Sequence, residues 1–245
     1  MFWDGRGEHD DDVNEMLYRL ILRCKEAEIR DFFRVNQVDL STISHTKFGG
    51  PLSILAFRSN EPWVPVLMGE WLSDYDFPQE TLKYAYNQSG RDARKISVLI
   101  HGGLDIDGPQ ILHRELFLLR MENIQALISG GADLNCKLRT ENLDLNTMSK
   151  AWTGFTPLET AFHTYYELIF TIIERAQKLE DACAAISLLL ENGASTEPTI
   201  TLGKLLYQCK TGWSVDAKEF CVMISKRLPL LADSALMLYR FQREE

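Results

Sequence analysis

The sequence predicts an all-α chain of stacked antiparallel helix pairs joined by projecting loops, and three observations predict it. The first is a helix ending that recurs: Val98-Leu99-Ile100-His101-Gly102-Gly103-Leu104-Asp105-Ile106-Asp107, then Ala126-Leu127-Ile128-Ser129-Gly130-Gly131-Ala132-Asp133-Leu134-Asn135, then Leu188-Leu189-Leu190-Glu191-Asn192-Gly193-Ala194-Ser195-Thr196. Each copy reads as the apolar last turn of a helix stopped by a glycine that can take left-handed dihedrals, after which Asp or Asn ties the chain into a turn. The second is a recurring helix start, Pro or Thr followed by Leu and then small residues, at Pro51-Leu52-Ser53-Ile54-Leu55-Ala56, Thr81-Leu82-Lys83-Tyr84-Ala85 and Thr156-Pro157-Leu158-Glu159-Thr160-Ala161. Proline in the first turn loses no hydrogen bond, and alanine lets helices approach closely. The third is composition: 45% apolar residues over 245, with aromatics along the whole length, suit one continuous core.

In chain order, residues 1–12 form an acidic lead-in whose charge run, Glu8 to Asp12, reads as solvated. Residues 13–41 form an N-terminal capping unit with apolar positions Leu17, Leu20, Ile21, Ile29, Phe32 and Phe33. Regular helix pairs follow over 42–197. The pair from Pro51 runs through Pro62 and Pro65 to Trp71 without a glycine ending, so its second helix is the weakest expectation. A loop over 136–153 is enlarged, and Leu158 to Glu180 reads as one helix, with Phe162, Tyr165, Leu168, Ile169, Ile172, Ile173 and Ala176 at helical spacing. Residues 198–245 form a divergent pair and a capping helix.

The net charge of −9 without a basic stripe disfavours nucleic-acid or anionic-membrane binding, which needs Lys and Arg to displace counterions. The start lacks a signal-peptide pattern, and the apolar runs fall short of the roughly 18 residues of a membrane span. Five scattered cysteines form neither a disulfide framework nor a CxxC pair, which fits a reducing, cytoplasmic setting. GxSxG, GxxxxGK[ST], GxGxxG and HExxH are absent, and His9, His45, His101, His113 and His163 lie far apart, so no catalytic residue, metal or cofactor is expected. Cys136 reads as a structural thiol or, alternatively, a redox site; Glu115 reads as a solvated or locally paired carboxylate.

The recurring pattern resembles the ankyrin repeat, a unit of about 33 residues whose T-P-L-H-x-A motif opens the first of two helices. The best match is Ile111 through Asn135, with Leu112-His113 on the Leu-His, Gly130 to Asn135 on the Gly-Ala-Asp-x-Asn ending, and Gly108 on the preceding Gly. The resemblance implies an ankyrin-repeat solenoid with finger loops, in which His113 bonds backbone groups of neighbouring loops and a partner protein meets the concave face. Carried over residue by residue, that face comprises Lys47, Phe48, Phe57 and Arg58, then Pro109, Phe117 and Leu118, then Trp152, Thr153, Phe155, His163 and Thr164. Asp107 runs directly into Gly108, so the finger is clipped there and oversized at 136–153, which would let a monomer grip an extended segment or helix of its partner. Degenerate arrays of this kind occur in effectors that intracellular bacteria release into a eukaryotic host, where the setting would be host cytosol. The alternative is an enzyme or enzyme-regulating subunit, its site between the enlarged finger and the long helix around His163, Tyr165 and Tyr166.

Overall fold

A computed structural model describes residues 18–23, 25–36, 39–41, 50–58, 61–90, 92–108, 110–139, 153–170 and 176–195. The acidic lead-in, Lys47, Phe48, Pro109, most of the enlarged finger with Trp152, and the C-terminal pair and capping helix lie outside the described residues. Among the described residues the chain is mostly helical and has no strand. It divides into two compact units, residues 1–105 and 106–245.

The first unit contains α1 (Glu26–Asn36), α2 (Pro51–Phe57), α3 (Trp63–Asp74), α4 (Gln79–Ser89) and α5 (Ala93–His101). Helix α2 packs on α4 and α3 on α5, while α2 meets α3 and α4 meets α5. First helices thus form one layer and second helices another. Leu52, Leu55 and Ala56 of α2, Val64 and Met68 of α3, Leu82 and Ala85 of α4 and Ile96 and Leu99 of α5 are all at most 1% exposed, which makes this one core. The second helix after Pro51 is present: α3 runs for 12 residues. Pro62 and Pro65 fall at its cap and first turn, where the N–H groups have no intrahelical partner to lose. Helix α2 lacks a glycine stop, and the ammonium of Lys95, 2% exposed, donates to the carbonyls of Ala56 and Arg58 at its end. Burial pulls the Lys95 pKa down, while Asp92 opposes the shift.

The second unit contains α6 (Ile111–Leu118), α7 (Met121–Ser129), α8 (Pro157–Phe170) and α9 (Ala176–Glu191). Its plan is the same, with α6 on α8, α7 on α9, and the pairs α6/α7 and α8/α9 in contact. The single helix expected over 158–180 is therefore corrected. Helix α8 ends at Phe170, and Ala176 opens α9, which packs back against α8 and carries the third glycine ending; residues 171–175 lie outside the described residues. Thr156 and Glu159 start α8 as a reciprocal cap: the Thr156 N–H donates to Glu159 Oε2 (2.6 Å) and the Glu159 N–H to Thr156 Oγ1 (3.3 Å).

The three recurring endings share one hydrogen-bond pattern. After α5, the Gly103 N–H reaches Ile100 O (3.0 Å) and the Leu104 N–H reaches Leu99 O (3.0 Å). Gly131 and Ala132 repeat this after α7 on Ile128 O and Leu127 O, and Gly193 and Ala194 after α9 on Leu190 O and Leu189 O. These are Schellman endings, and the apolar pair that accompanies them, such as Leu99 with Leu104, is buried each time. In the Gly-Gly copies only the second glycine is left-handed. Gly103 has φ +90 and no atom within 4 Å of a Cβ built on it; Gly102 has an ordinary φ of −79, but a Cβ there would lie 2.8 Å from both methyls of Leu72 on α3. One glycine is required by dihedral angle and the other by space.

The residue two places after each left-handed glycine donates its backbone N–H to a side chain from earlier in the chain: Asp105 to Gln79 Oε1 (2.9 Å), Asp133 to Asp107 Oδ1 (2.9 Å) and Ser195 to Asn135 Oδ1 (2.8 Å). Asp107 and Asn135 occupy the same place in their own copies, four residues after the glycine. Each therefore accepts from the turn that follows the next recurring ending.

The two glycines predict different double-mutant behaviour. Gly103→Ala is expected to cost about 1 kcal/mol from left-handed strain alone, whether residue 72 is Leu or Ala. Gly102→Ala is expected to lose stability in the Leu72 background and to recover part of it in Leu72→Ala. Urea unfolding of wild type, the three single variants and the two double variants measures this, and a Gly102 cost independent of residue 72 would refute the assignment.

Candidate functional site

The root of the enlarged finger is the place where the second unit brings sequence-predicted residues together. The Leu138 N–H donates to Phe155 O (2.8 Å) and the Gly154 N–H to Leu138 O (2.7 Å), so the two ends of the finger are bridged where it leaves the helices. Leu138 is 2% exposed, with Phe117 of α6 and Phe155 packed against it as half-buried aromatics. The His163 ring lies 5.8 Å from that of Phe155. Leu118 is half-buried beside Phe117 in sequence, and Thr153 is exposed at the turn with Gly154.

His113 holds this root from beneath. Its ring is fully buried, and Nε2 lies 2.9 Å from Phe155 O, so the proton sits on Nε2 and the carbonyl accepts it. Nδ1 is buried without a hydrogen-bond partner, so a second proton there would find no acceptor. Desolvation pushes the His113 pKa down to about 4, against the bond to Phe155 and the charge of Glu159, which raise it. The neutral imidazole is a structural donor to a neighbouring loop, as the resemblance implies.

Two of the transferred residues are already engaged by the protein itself. Arg58, placed on the partner face by the pattern, donates to Ile21 O (2.7 Å) and to Glu61 (3.0 Å), and its guanidinium lies 4.8 Å from the Trp63 ring centroid. Hydrogen bonds from Trp63 and then Arg58 hold the Glu61 carboxyl below the usual range. Arg58 therefore ties α2 to the capping residues. Thr164 is buried, and its hydroxyl donates to Thr160 O (2.9 Å) inside α8. Phe57 stands out in the first unit at 60% exposed, and Tyr84, which the pattern did not single out, is 45% exposed. Lys47, Phe48, Pro109 and Trp152 lie outside the described residues.

The remaining candidates for chemistry are structural in character. Glu115 is fully buried rather than solvated, and is locally paired: Asn123 Nδ2 donates to it at 2.8 Å and Arg120 lies at 3.6 Å, which meets the requirement that a buried carboxylate be partnered. Burial, then Asp133 and Asp107, push the Cys136 thiol up to about 11. That suppresses the thiolate on which redox reactivity depends. Tyr165 is 1% exposed, and no group of three or more His, Cys, Asp or Glu among the described residues could hold a metal ion. No helix among them is long and apolar enough to cross a membrane. A cleft of about 470 Å³ in the first unit is lined by Phe33, Trp71 and Tyr75 and bridged by the Arg30–Glu70 ion pair.

Because the unfolded imidazole titrates near 6.5 and the folded one near 4, the unfolded chain binds more protons between those values and stability rises with pH there. The His113 contribution is complete above about pH 6.5 and is lost as pH falls toward 4. Gln at 113 keeps a donor for Phe155 O but does not titrate. Between pH 7 and 4.5, wild type is expected to lose on the order of 2 kcal/mol more than His113→Gln, measured by urea unfolding. Equal losses would show that His113 is not held neutral.

Compared with known proteins, the chain matches no family model, no curated protein and no solved structure.

Proposed function

We propose that this chain is a protein-binding module of the ankyrin-repeat type, and that its partner meets the finger root of the second unit through Phe117, Leu118, Thr153, Phe155 and His163. One observation carries the reading: half-exposed aromatics converge there on a frame whose backbone groups at Leu138, Gly154 and Phe155 are hydrogen-bonded. A rigid apolar platform with a polar rim is what a protein partner buries, and aromatics at the centre of such a patch dominate binding energy. Chemistry would need the opposite arrangement, a reactive group with an open approach, and the ionisable groups His113, Glu115 and Cys136 are buried or suppressed.

Phe57 offers a second contact point in the first unit, while Arg58 and Thr164 drop out of the contact set because the fold uses them. Three copies of one helix ending, each stitched by a side chain to an earlier segment, support the repeat-array part of the proposal. The free thiol of Cys136 suits a reducing cytosol, including that of a host cell if the chain is a released effector. The module is proposed to act as a monomer.

The test is affinity capture from a eukaryotic lysate with wild type, with Phe117→Ala/His163→Ala, and with a deletion of residues 141–150 that spares the bridged root at 138 and 154–155. A captured partner is expected to lose roughly 30-fold in affinity for the double variant, the scale of a 2 kcal/mol hot spot. Unchanged affinity in a variant with native circular dichroism would reject this face.

A further inference from the structure

Leu138 spends both of its backbone groups on Gly154 and Phe155. In a strand-like pairing, alternate residues turn their N–H and C=O groups to opposite edges, so the neighbouring groups of Lys137 and Arg139 address the other edge. There the side chain of Gln110 meets them. Its amide nitrogen donates to Lys137 O, and its Oε1 accepts the Arg139 N–H at 2.7 Å. A carboxamide offers one donor and one acceptor side by side, the same two groups that a peptide of a neighbouring strand would offer. Gln110 follows Asp107-Gly108, the point where the chain passes between helix pairs without a finger of its own.

Two further facts mark Gln110 as constrained. It is 4% exposed, so it faces the protein and not solvent. It also sits at φ +53 and ψ +47, a left-handed backbone that a non-glycine residue adopts only when its surroundings fix it. Within the first unit Gln79 makes the same two-point bracket, donating to Gly103 O (2.6 Å) and accepting from the Asp105 N–H (2.9 Å).

We propose that Gln110 is the positioning residue of the 137–139 segment: its carboxamide takes the place that a neighbouring strand would occupy and fixes the course of the backbone there. The finger's use in holding a partner rests on the protein-binding reading above; the positioning role stands apart from it and is tested without a partner. An unpaired strand edge is also where foreign chains add, and the bracket closes that edge.

Amide hydrogen exchange on the full chain tests this with three substitutions. Gln110→Met keeps the length and the left-handed strain but removes the amide; Gln110→Gly removes both amide and strain; Gln110→Glu keeps an acceptor for Arg139 and loses the donor to Lys137. Exchange of the Arg139 amide is expected to speed up about fivefold or more in the Met and Gly variants, the scale of one lost hydrogen bond, and less in the Glu variant. Amides of α6 and α7 should keep their rates. Gln79→Met should speed up Asp105 and leave Arg139 alone. Unchanged Arg139 exchange in both the Met and Gly variants would overturn the proposal, as would a loss of protection spread evenly over α6, α7 and Arg139. A partner lost from the Phe117→Ala/His163→Ala variant, or none found, leaves this outcome unaffected.

Discussion

A helix cannot satisfy the turn that ends it. Each second helix ends with carbonyls that lack intrahelical donors, and the turn beyond it exposes N–H groups that no helix reaches. The chain meets the first need locally, with a left-handed glycine and two bonds back into the last turn, and the second with a side chain from elsewhere: Gln79 for Asp105, Asp107 for Asp133, Asn135 for Ser195. These three bonds lie at exposed residues, so each contributes about 0.5 to 1.5 kcal/mol and their effect is cumulative. Each bond ties a turn to an earlier segment, Asp105 to α4 and Asp133 and Ser195 to Asp107 and Asn135, and burial of Leu99, Leu127 and Leu189 follows the same repeat.

The same accounting explains why the finger root is polar beneath and apolar above. Phe155 O accepts both the Leu138 N–H and His113, and the Lys137 and Arg139 groups are met by Gln110, so the backbone that enters and leaves the finger is tied down by buried side chains. Burial keeps His113 neutral at pH 7, so that Nε2 donates to Phe155 O and the partnerless Nδ1 carries no proton. With the polar groups consumed below, Phe117 and Phe155 cover Leu138 and remain half-exposed. Their exposure is thus a consequence of the frame, and it leaves a surface suited to burying apolar area against another molecule.

How much of this the sequence discloses depends on whether a residue type has one physical use or several. Left-handed glycine after an apolar turn has one use, so the endings at Gly103, Gly131 and Gly193 are legible, and so are the starts at Pro51 and Pro157. Helical spacing has several. Residues 158–180 contain no Gly or Pro, and Phe162, Tyr165 and Leu168 of α8 continue in spacing toward Ala176, yet two packed helices produce the same periodicity as one long one. Pro62 and Pro65 read as breakers in a window but sit harmlessly in the first turn of α3. At the site, the register places His113 and the aromatics, whereas it does not disclose that Arg58 and Thr164 have partners within the fold, because a register position says where a residue stands and not what it bonds. Gln110 gave no signal at all, because a glutamine before a helix is ordinary until its side chain is seen beside Lys137 and Arg139.

In the proposed repeat architecture the frame itself would vary where the candidate surface lies, with a finger clipped at Asp107-Gly108 and another enlarged over 136–153. A longer loop costs little extra closure entropy, because that cost grows only with the logarithm of length. What a longer loop does lose is direction, since bonds near its base are all that orient it. The buried bracket of Gln110, the bond from His113 and the bridge between Leu138 and residues 154–155 are concentrated at that base. An oversized finger with a loosely held root would bring disorder to any interface and lose affinity to ordering entropy. The ties at residues 137–139 and 154–155, two of which share Phe155 O, hold both described ends of that segment to His113 and Gln110 and to each other.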